Sequence, residues 1–339
     1  MTARTVMVPC LQRLLTKKFL SAGTNGSMPS SYTGCPGWTL HGARRFSALE
    51  IRDGPVGTKR PHRQSIVKMK NFVFTMTTGR SGTKYLARLL ELNLPDAECY
   101  HEIHGWDRFG VDTPDLSHMT LFNSQGNVEK VQAFWRSKLA RIAATPRQFY
   151  VETSHLLMKG GLVENLAPLT EAGTVHLVTL ERDPYDTIVS FRNRFDFLDM
   201  ANRWLWYLDP EYPRNLVPWD DFFSQSHNGL CLWYILEIRA RAARYEKLLS
   251  GEQRIVFHHF SLEDLRNPEG ASRLLNALGV RLHPANVRMP GPENVGRLLV
   301  SIDPAEQAEI HRLIAVATAA PARQQREVWS TEVPMRISA

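Results

Sequence analysis

Residues 77–84, with the sequence TTGRSGTK, constrain the fold of this chain more than any other segment. They follow an apolar run at 72–74 and precede a helical pattern of apolar residues at 85–90. A strand, a glycine-bearing turn and a helix N-terminus in this order form a cradle for a phosphate group. The turn presents backbone N–H groups, and the helix adds the positive end of its dipole. The segment therefore predicts an anion site at the end of a strand.

The same segment differs from the loop that binds nucleoside triphosphates with Mg²⁺. That loop has the pattern G-x-x-x-x-G-K-[ST], in which the lysine binds the terminal phosphates and the hydroxyl binds the metal. Here Thr83 follows Gly82, and Tyr85 follows Lys84. We therefore expect a site that takes phosphate without a required metal, and ATP hydrolysis is the less favoured activity.

The net charge of the chain, +7, comes from its N-terminal segment. Residues 1–70 contain twelve basic and two acidic residues, which leaves 29 basic and 32 acidic residues in the rest. Because that remainder carries a net charge of −3, it gives no support to nucleic-acid binding.

The N-terminal segment has the composition of a targeting sequence. Residues 1–49 contain no acidic residue and resemble an organellar transit peptide, although an unstructured extension or an upstream start site explains the same composition. We predict a basic, poorly ordered leader and linker at 1–68, a domain at 69–320 and a tail at 321–339. The location is then cytoplasmic, or mitochondrial or plastid if the leader is a transit peptide.

Cysteine spacing and hydropathy exclude two other classes. The four cysteines form no CxxC pair, so neither a disulfide framework nor a zinc ribbon is expected. The apolar run at 230–236 is much shorter than the roughly 18–20 residues that a membrane span needs. We expect a soluble protein without a membrane span.

Apolar runs separated by helical patterns predict an α/β fold. The expected strands lie at 72–74, 98–101, 149–151, 175–180 and 255–257. The expected helices lie at 85–93, 128–142, 162–166, 184–194, 230–249, 263–265 and 270–278. This alternation predicts a central parallel sheet with helices on both faces.

A second anion signature follows the expected strand at 175–180. Residues 181–190 have the sequence ERDPYDTIVS, in which Arg182 stands at the strand end and Pro184 suits the first turn of a helix. Ser190 lies about two turns along that helix. A guanidinium and a hydroxyl in this arrangement are suited to holding a second phosphate.

Together the two segments resemble the sulfotransferase family that uses 3′-phosphoadenosine 5′-phosphosulfate, particularly its carbohydrate, heparan-type and bacterial-type members. The resemblance covers residues 70–280 and implies a three-layer fold like that of the P-loop nucleoside triphosphate hydrolases. It also implies metal-independent transfer of a sulfuryl group to a hydroxyl or amine of a small-molecule or carbohydrate acceptor. The residues it assigns to the donor are Arg80, Ser81, Gly82, Thr83 and Lys84 at the 5′ end, Arg182 and Ser190 at the 3′-phosphate, and Tyr85 beside adenine.

The chain departs from the cytosolic branch of that family at three places. That branch has lysine where Arg80 stands and tryptophan where Tyr85 stands, and its late glycine-rich loop has only a weak counterpart at 291–297. Tyrosine stacks on aromatic rings as tryptophan does. Arginine stabilises a leaving oxygen by charge and hydrogen bonds but does not donate a proton.

Two segments offer a base for the acceptor proton. Residues 101–107, HEIHGWD, resemble the Glu-x-His-aromatic stretch of heparan-type 3-O-sulfotransferases, which makes Glu102 the base and His104 its neighbour. Residues 151–155, VETSH, resemble the Glu-Lys-Ser or Glu-Lys-Thr stretch of carbohydrate sulfotransferases and offer Glu152. The cytosolic branch has a catalytic histidine in this region, which adds His155. The ranking is Glu102, Glu152, His155 and His104, with Arg80 as the catalytic cation.

Ordinary structural roles explain the same residues. A salt bridge to Arg108 accounts for Glu102, and one to Arg147 or Lys159 accounts for Glu152. Two other functions stay open at this stage. One is a P-loop nucleoside triphosphate hydrolase or kinase, and the other is an inactive, sulfotransferase-like nucleotide-binding protein.

Overall fold

The structure, a computed structural model, describes residues 69–102, 116–197, 207–291 and 301–319. All of these belong to a unit that spans 64–339. The strands are β1 (Lys70–Met76), β2 (Ala97–His101), β3 (Phe149–Thr153), β4 (Gly173–Glu181) and β5 (Ile255–Ser261). The leader predicted for 1–68 and the tail predicted for 321–339 lie outside the described residues.

Helices and short 3₁₀ turns connect these strands. The first five helices are α1 (Thr83–Asn93), α2 (Leu116–Gln125), α3 (Glu129–Ala143), α4 (Ala167–Ala172) and α5 (Pro184–Arg192). The next five are α6 (Asp221–Ser224), α7 (His227–Leu249), α8 (Leu262–Leu265), α9 (Pro268–Ala277) and α10 (Pro304–Ala319). The 3₁₀ turns are Met158–Gly160, Val163–Asn165 and Pro284–Asn286.

The described strands form one parallel sheet in the order β2–β3–β1–β4–β5. From β1 the chain runs to β2 and β3 on one side, and β4 and β5 lie on the other. Ligands in open α/β sheets bind at such a reversal of strand order, at the carboxyl ends of the strands. The two segments that the sequence assigns to phosphate binding both begin there, after β1 and after β4.

Apolar residues cover both faces of the sheet. Phe72 and Phe74 of β1 belong to a core with α3, α5, α7 and α10, whereas Val73 belongs to a second core with α1, α8 and α9. All three side chains are fully buried. A strand with both faces buried carries a continuous apolar run, as β1 does. The predicted fold class, a central parallel sheet with helices on both faces, is confirmed.

The helix predicted at 162–166 is wrong. That stretch contains a 3₁₀ turn, Val163–Asn165, and the regular helix is α4, which starts only at Ala167. Gly161 has φ 95°, a left-handed conformation that ends the preceding turn. The proline in the first turn of α4 then sets a new helix start.

Three helices have no counterpart among the predicted elements: α2, α6 and α10. Helix α10 buries Ile310 and Leu313 against the core. Glu306 of α10 lies 2.7 Å from Arg192 of α5 in an ion pair. The initial proline of α10 and its apolar residues are typical of a helix, but they lie outside the motifs on which the sequence analysis concentrated.

Among the helices that the structure describes, none is both long enough and apolar enough to cross a membrane.

Candidate functional site

The loop between β1 and α1 has the backbone that a phosphate cradle requires. Gly79, Arg80 and Gly82 have φ of 77°, 55° and 93°. A Cβ at Gly82 would lie 2.4 Å from Cδ1 of Leu262, so a larger residue would displace that side chain and would also be strained at this φ. Gly82 is also the N-cap of α1, and no side chain in the described residues caps that helix. The first amides of a helix have no acceptor within the helix, and a helix N-terminus of this kind favours an anion.

Threonine and serine hydroxyls hold this loop to the sheet. The hydroxyls of Thr77 and Ser81 contact each other. The Thr77 hydroxyl also donates to the carbonyl of Leu180 in β4, at 2.9 Å. All three residues are buried. The loop is thereby fixed to the neighbouring strand end, from which the second predicted motif begins.

The two motifs meet through two hydrogen bonds. Arg80 donates from Nε to the Ser190 hydroxyl at 3.0 Å. Arg182 donates from Nη1 to the carbonyl of Arg80 at 3.4 Å and from Nη2 to Asp186 at 3.3 Å. Helix α5, which carries Ser190, is capped by Asp183, whose carboxylate accepts from the backbone N–H of Asp186 at 3.1 Å. The two hydrogen bonds between the motifs join residues that lie 102 and 110 positions apart in the chain, so the two motifs form one cluster.

Positive charge accumulates in this cluster. Burial lowers the pKa of Arg80, and the nearby Arg194 lowers it further, whereas Tyr207 and Asp196 act in the opposite sense and Arg182 adds a smaller lowering effect. Arginine stays charged in proteins despite such shifts. The guanidinium groups of Arg194 and Arg182 therefore both repel that of Arg80. An anion bound between them would relieve this repulsion.

A small pocket, with a cavity volume of about 20 Å³, lies beside Arg182, between the ends of β1 and β4 and helix α7. Its wall includes Thr179, Arg182 and Arg239. The Thr179 hydroxyl and the Arg182 Nε are buried, and neither has a hydrogen-bond partner in the part of the chain that the structure describes. Because buried polar groups are normally paired, these two atoms have unused capacity for a ligand.

The two remaining residues assigned to the donor lie at the start of α1 in different surroundings. Lys84 is exposed. Tyr85 is buried, and its hydroxyl donates to the carbonyl of Leu265 at 3.3 Å. Its ring packs in the apolar core that includes Leu262. This placement gives the Tyr85 ring to the core between α1 and α8, and its contact with adenine stays a prediction.

Glu102 lies beside the phosphate loop, at the end of β2. Its backbone has φ 45°, and its N–H donates to the carbonyl of Thr153 at 3.3 Å. Carboxylate oxygens of Glu102 lie 3.7 Å from Nε2 of His155 and 3.8 Å from Nε2 of His101. A Cβ at Gly79 would lie 3.1 Å from Cγ of His155, so this imidazole packs directly against the loop. The structure therefore brings Glu102 and His155 together with the loop.

Glu152 lies within the sheet, where its carboxylate is paired. Its side chain is 1% exposed, and it lies 3.0 Å from Nζ of Lys138. The Tyr150 hydroxyl donates to it at 2.8 Å. Its ion-pair partner is thus on α3 and is neither of the two residues, Arg147 and Lys159, that the sequence suggested. His104, the fourth candidate base, lies outside the described residues.

Sequence reasoning missed Lys159 as a neighbour of the site. Its Nζ lies 3.0 Å from Nδ1 of His155 and donates to the Tyr234 hydroxyl at 2.8 Å. The available signal was the spacing of four residues between His155 and Lys159. This spacing indicates a contact only if the chain turns between them, and the 3₁₀ turn at Met158–Gly160 was not predicted. Within the described residues, no three His, Cys, Asp or Glu side chains are grouped so as to hold a metal ion.

No protein-family model and no curated protein matches the chain. Eleven chains of solved structures are similar to it, among them two sulfotransferases. A sulfotransferase from Alicyclobacillus acidocaldarius is 15% identical, with a TM-score of 0.36, and the match covers 73% of this chain and 92% of that one. The mouse sulfotransferase SULT7A1, solved in complex with PAP, is 10% identical, with a TM-score of 0.36, and the match covers 74% of this chain and 85% of that one. At such TM-scores neither likeness indicates an activity for this chain.

Proposed function

We propose that this chain transfers a sulfuryl group from 3′-phosphoadenosine 5′-phosphosulfate to a hydroxyl or amine acceptor. The observation that carries the proposal is the junction of the two anion motifs. Arg80 of the first motif donates to Ser190 of the second, and Arg182 of the second donates to the backbone of the first. A donor with phosphate groups at both its 5′ and 3′ positions needs two linked anion sites of this kind.

The residues present fit such a donor. The uncapped N-terminus of α1 and the loop residues Arg80, Ser81, Gly82 and Thr83 would hold its 5′ end, with Lys84 adding positive charge. Arg182 and Ser190 would hold the 3′-phosphate. The unpaired Nε of Arg182 supports this assignment, because a phosphate oxygen is the acceptor that a buried guanidinium N–H favours.

Glu102 is the base in this proposal. It takes the proton of the acceptor as the new bond to sulfur forms, while Arg80 stabilises the negative charge that develops on the departing oxygen. A carboxylate that is 24% exposed and 3.7 Å from its imidazole neighbour has room to contact an acceptor. Glu152 has no such room, because Lys138 and Tyr150 already bind its oxygens. We therefore assign Glu152 to the stability of the fold.

The transfer itself tests the proposal. The full chain is incubated with donor labelled at the sulfur, together with pools of phenols, alcohols, amines and oligosaccharides, and labelled product is counted. Release of labelled sulfate to water gives a readout that needs no acceptor. The proposal predicts label in a hydroxyl or amine product without added Mg²⁺, lost in Arg182→Ala and in Glu102→Gln but retained in Arg136→Ala, which changes an exposed arginine on α3.

Two results would contradict the proposal. If Glu102→Gln transfers the label as fast as the wild type, another group is the base. If the chain instead hydrolyses ATP with Mg²⁺ and leaves the labelled donor intact, the triphosphate function replaces the one proposed here.

A further inference from the structure

A line of polar groups runs from Glu102 into the protein behind the phosphate loop. Oε1 of Glu102 lies 3.7 Å from Nε2 of His155. The other ring nitrogen of His155, Nδ1, lies 3.0 Å from Nζ of Lys159. Lys159 in turn donates to the hydroxyl of Tyr234 at 2.8 Å. Both Lys159 and Tyr234 are fully buried, so the line ends in the core.

Lys159 is the basic residue of this line. Burial lowers its pKa well below the usual range, Glu102 at the end of β2 opposes that effect, and Arg241 of α7 adds to it. Its Nζ lies 5.3 Å and 5.2 Å from the ring centroids of Tyr207 and Tyr234, whose faces attract a cation. A buried ammonium is costly for a fold, and the contacts of this one include His155 and the rings of Tyr207 and Tyr234.

The hydrogen bond from Lys159 decides where the proton of His155 lies. The faces of Tyr207 and Tyr234 and the charge of Glu102 favour the ammonium form of Lys159. An ammonium group has three donors and no acceptor, so Nδ1 of His155 accepts from Lys159 in this form. In a neutral imidazole the single proton is then on Nε2, the nitrogen that faces Glu102. A His155 in this form donates toward the carboxylate and has no lone pair there to take a proton.

We propose that Lys159 is a positioning residue of the proposed transfer site: it holds His155 as the Nε2–H tautomer, and His155 holds the Glu102 carboxylate beside the phosphate loop. The role of Glu102 as base rests on the proposed function, whereas the tautomer does not. Lys159 touches neither donor nor acceptor in this account and acts through His155. The same geometry explains why Glu102, and not His155, is the proton acceptor.

The tautomer is measured directly by nitrogen NMR of the full chain labelled with ¹⁵N-histidine at neutral pH. The signals of His155 are those that disappear in His155→Gln. We expect a protonated Nε2 and an unprotonated Nδ1 in the wild type. In Lys159→Met, which keeps the length of the side chain but removes its N–H groups, this preference is lost. A proton on Nδ1 in the wild type would overturn the proposal without any variant, as would unchanged signals in Lys159→Met.

A double-mutant cycle separates positioning from a merely structural role. The amide nitrogen of glutamine stands near the position of histidine Nε2 and donates without a choice of tautomer. We therefore expect Lys159→Met to lower kcat about tenfold in the wild type, but less than about twofold in His155→Gln. Equal losses in both backgrounds would contradict the proposal. If Lys159→Met does not fold, Tyr234→Phe takes its place, because it removes only the hydroxyl to which Lys159 donates. We then expect the His155 signals to shift in the same direction by a smaller amount.

The proposed function and this inference fail separately. Affinity for 3′-phosphoadenosine 5′-phosphate is expected to be the same in Lys159→Met as in the wild type. If the wild type does not bind that nucleotide, the proposed function is wrong, and the NMR result still decides whether Lys159 sets the tautomer of His155.

Discussion

The carboxylates of Glu152, within the sheet, and Glu102, at the end of a strand, differ in exposure and in the distances to their partners. Glu152, inside β3, is 1% exposed and has an ammonium at 3.0 Å and a hydroxyl at 2.8 Å. Glu102, just beyond β2, is 24% exposed, and its imidazole neighbours lie at 3.7 Å and 3.8 Å. The carboxylate of Glu152 is paired because water is absent around it. The strand ends leave donors and acceptors available, at the edge where open α/β sheets bind ligands.

The largest effect that distinguishes these regions is expected from Glu102→Gln. Loss of a general base lowers a transfer rate by about 10²–10⁴-fold. Because the side chain is partly exposed and makes only long contacts, the free energy of unfolding should change by about 0.5 kcal/mol or less. Rates of sulfuryl transfer and denaturant titrations measure the two quantities. A large loss of stability with an unchanged rate would place Glu102 with the structural group.

Glu152→Gln should show the reverse. It leaves the ammonium of Lys138 buried without its counter-charge, which costs about 3–5 kcal/mol of the free energy of unfolding. Denaturant titration measures this loss, and the folded fraction should keep its affinity for the nucleotide. The matched control is the pair Glu152→Leu with Lys138→Met, which removes both charges and should recover much of the stability. A Glu152→Gln protein that is stable but inactive would make Glu152 the base.

The histidine pair in the sheet gives a smaller effect, one that depends on pH. His176 of β4 lies 3.0 Å from His258 of β5, and burial, with His258 adding to it, lowers the pKa of His176 to about 3. The unfolded chain therefore binds the proton more readily between pH 6.5 and 3, so stability falls as pH falls through this window. The slope contributed by His176 is at most about 1.4 kcal/mol per pH unit.

Denaturant titrations of the wild type and His176→Gln over that pH range measure this contribution as the difference in slope. The wild type has to be compared with the variant because His227 also contributes to the slope in this range. Burial lowers the pKa of His227 to about 4. His259→Gln, which changes an exposed histidine of β5 next to His258, is the control. Equal slopes in the wild type and in His176→Gln would mean that the pair is solvated and does not belong with Glu152.

The smallest effect is expected from Ser190→Ala at the strand ends. It removes the acceptor of the 3.0 Å hydrogen bond from Arg80 Nε. A single hydrogen bond to a charged group is worth about 1.5–3 kcal/mol, and a bound phosphate compensates part of that loss, so affinity for the bisphosphate should fall about three- to tenfold. Calorimetric titration measures this. An unchanged affinity would separate Ser190 from the anion site.

Local sequence signals predicted the parts of this molecule that depend on neighbouring residues. The apolar runs of β1 and β4, the glycine turn at Gly79 and Gly82, and the Asp-Pro start of α5 are all short-range patterns. They were sufficient for the fold class and for the position of both anion motifs, because parallel strands bring their carboxyl ends to one edge.

Long-range pairing was not predictable from the same signals. The partner of Glu152 is Lys138 of α3, a contact that depends on how that helix packs on β3. Lys159 lies near Glu102 only because a 3₁₀ turn follows β3. The sequence contains several lysines and arginines at comparable separations, and nothing in their spacing distinguishes the true partner.

The central claim is that the motifs after β1 and β4 form one site for a nucleotide with a 3′-phosphate. Calorimetric titration of the full chain with 3′-phosphoadenosine 5′-phosphate and with ADP, with and without Mg²⁺, tests it most directly. We predict metal-independent binding that requires the 3′-phosphate and that weakens about 10–100-fold in Arg182→Ala, with Arg136→Ala as the unchanged control. Binding of ADP that equals or exceeds that of the bisphosphate, requires Mg²⁺ and survives in Arg182→Ala would contradict it.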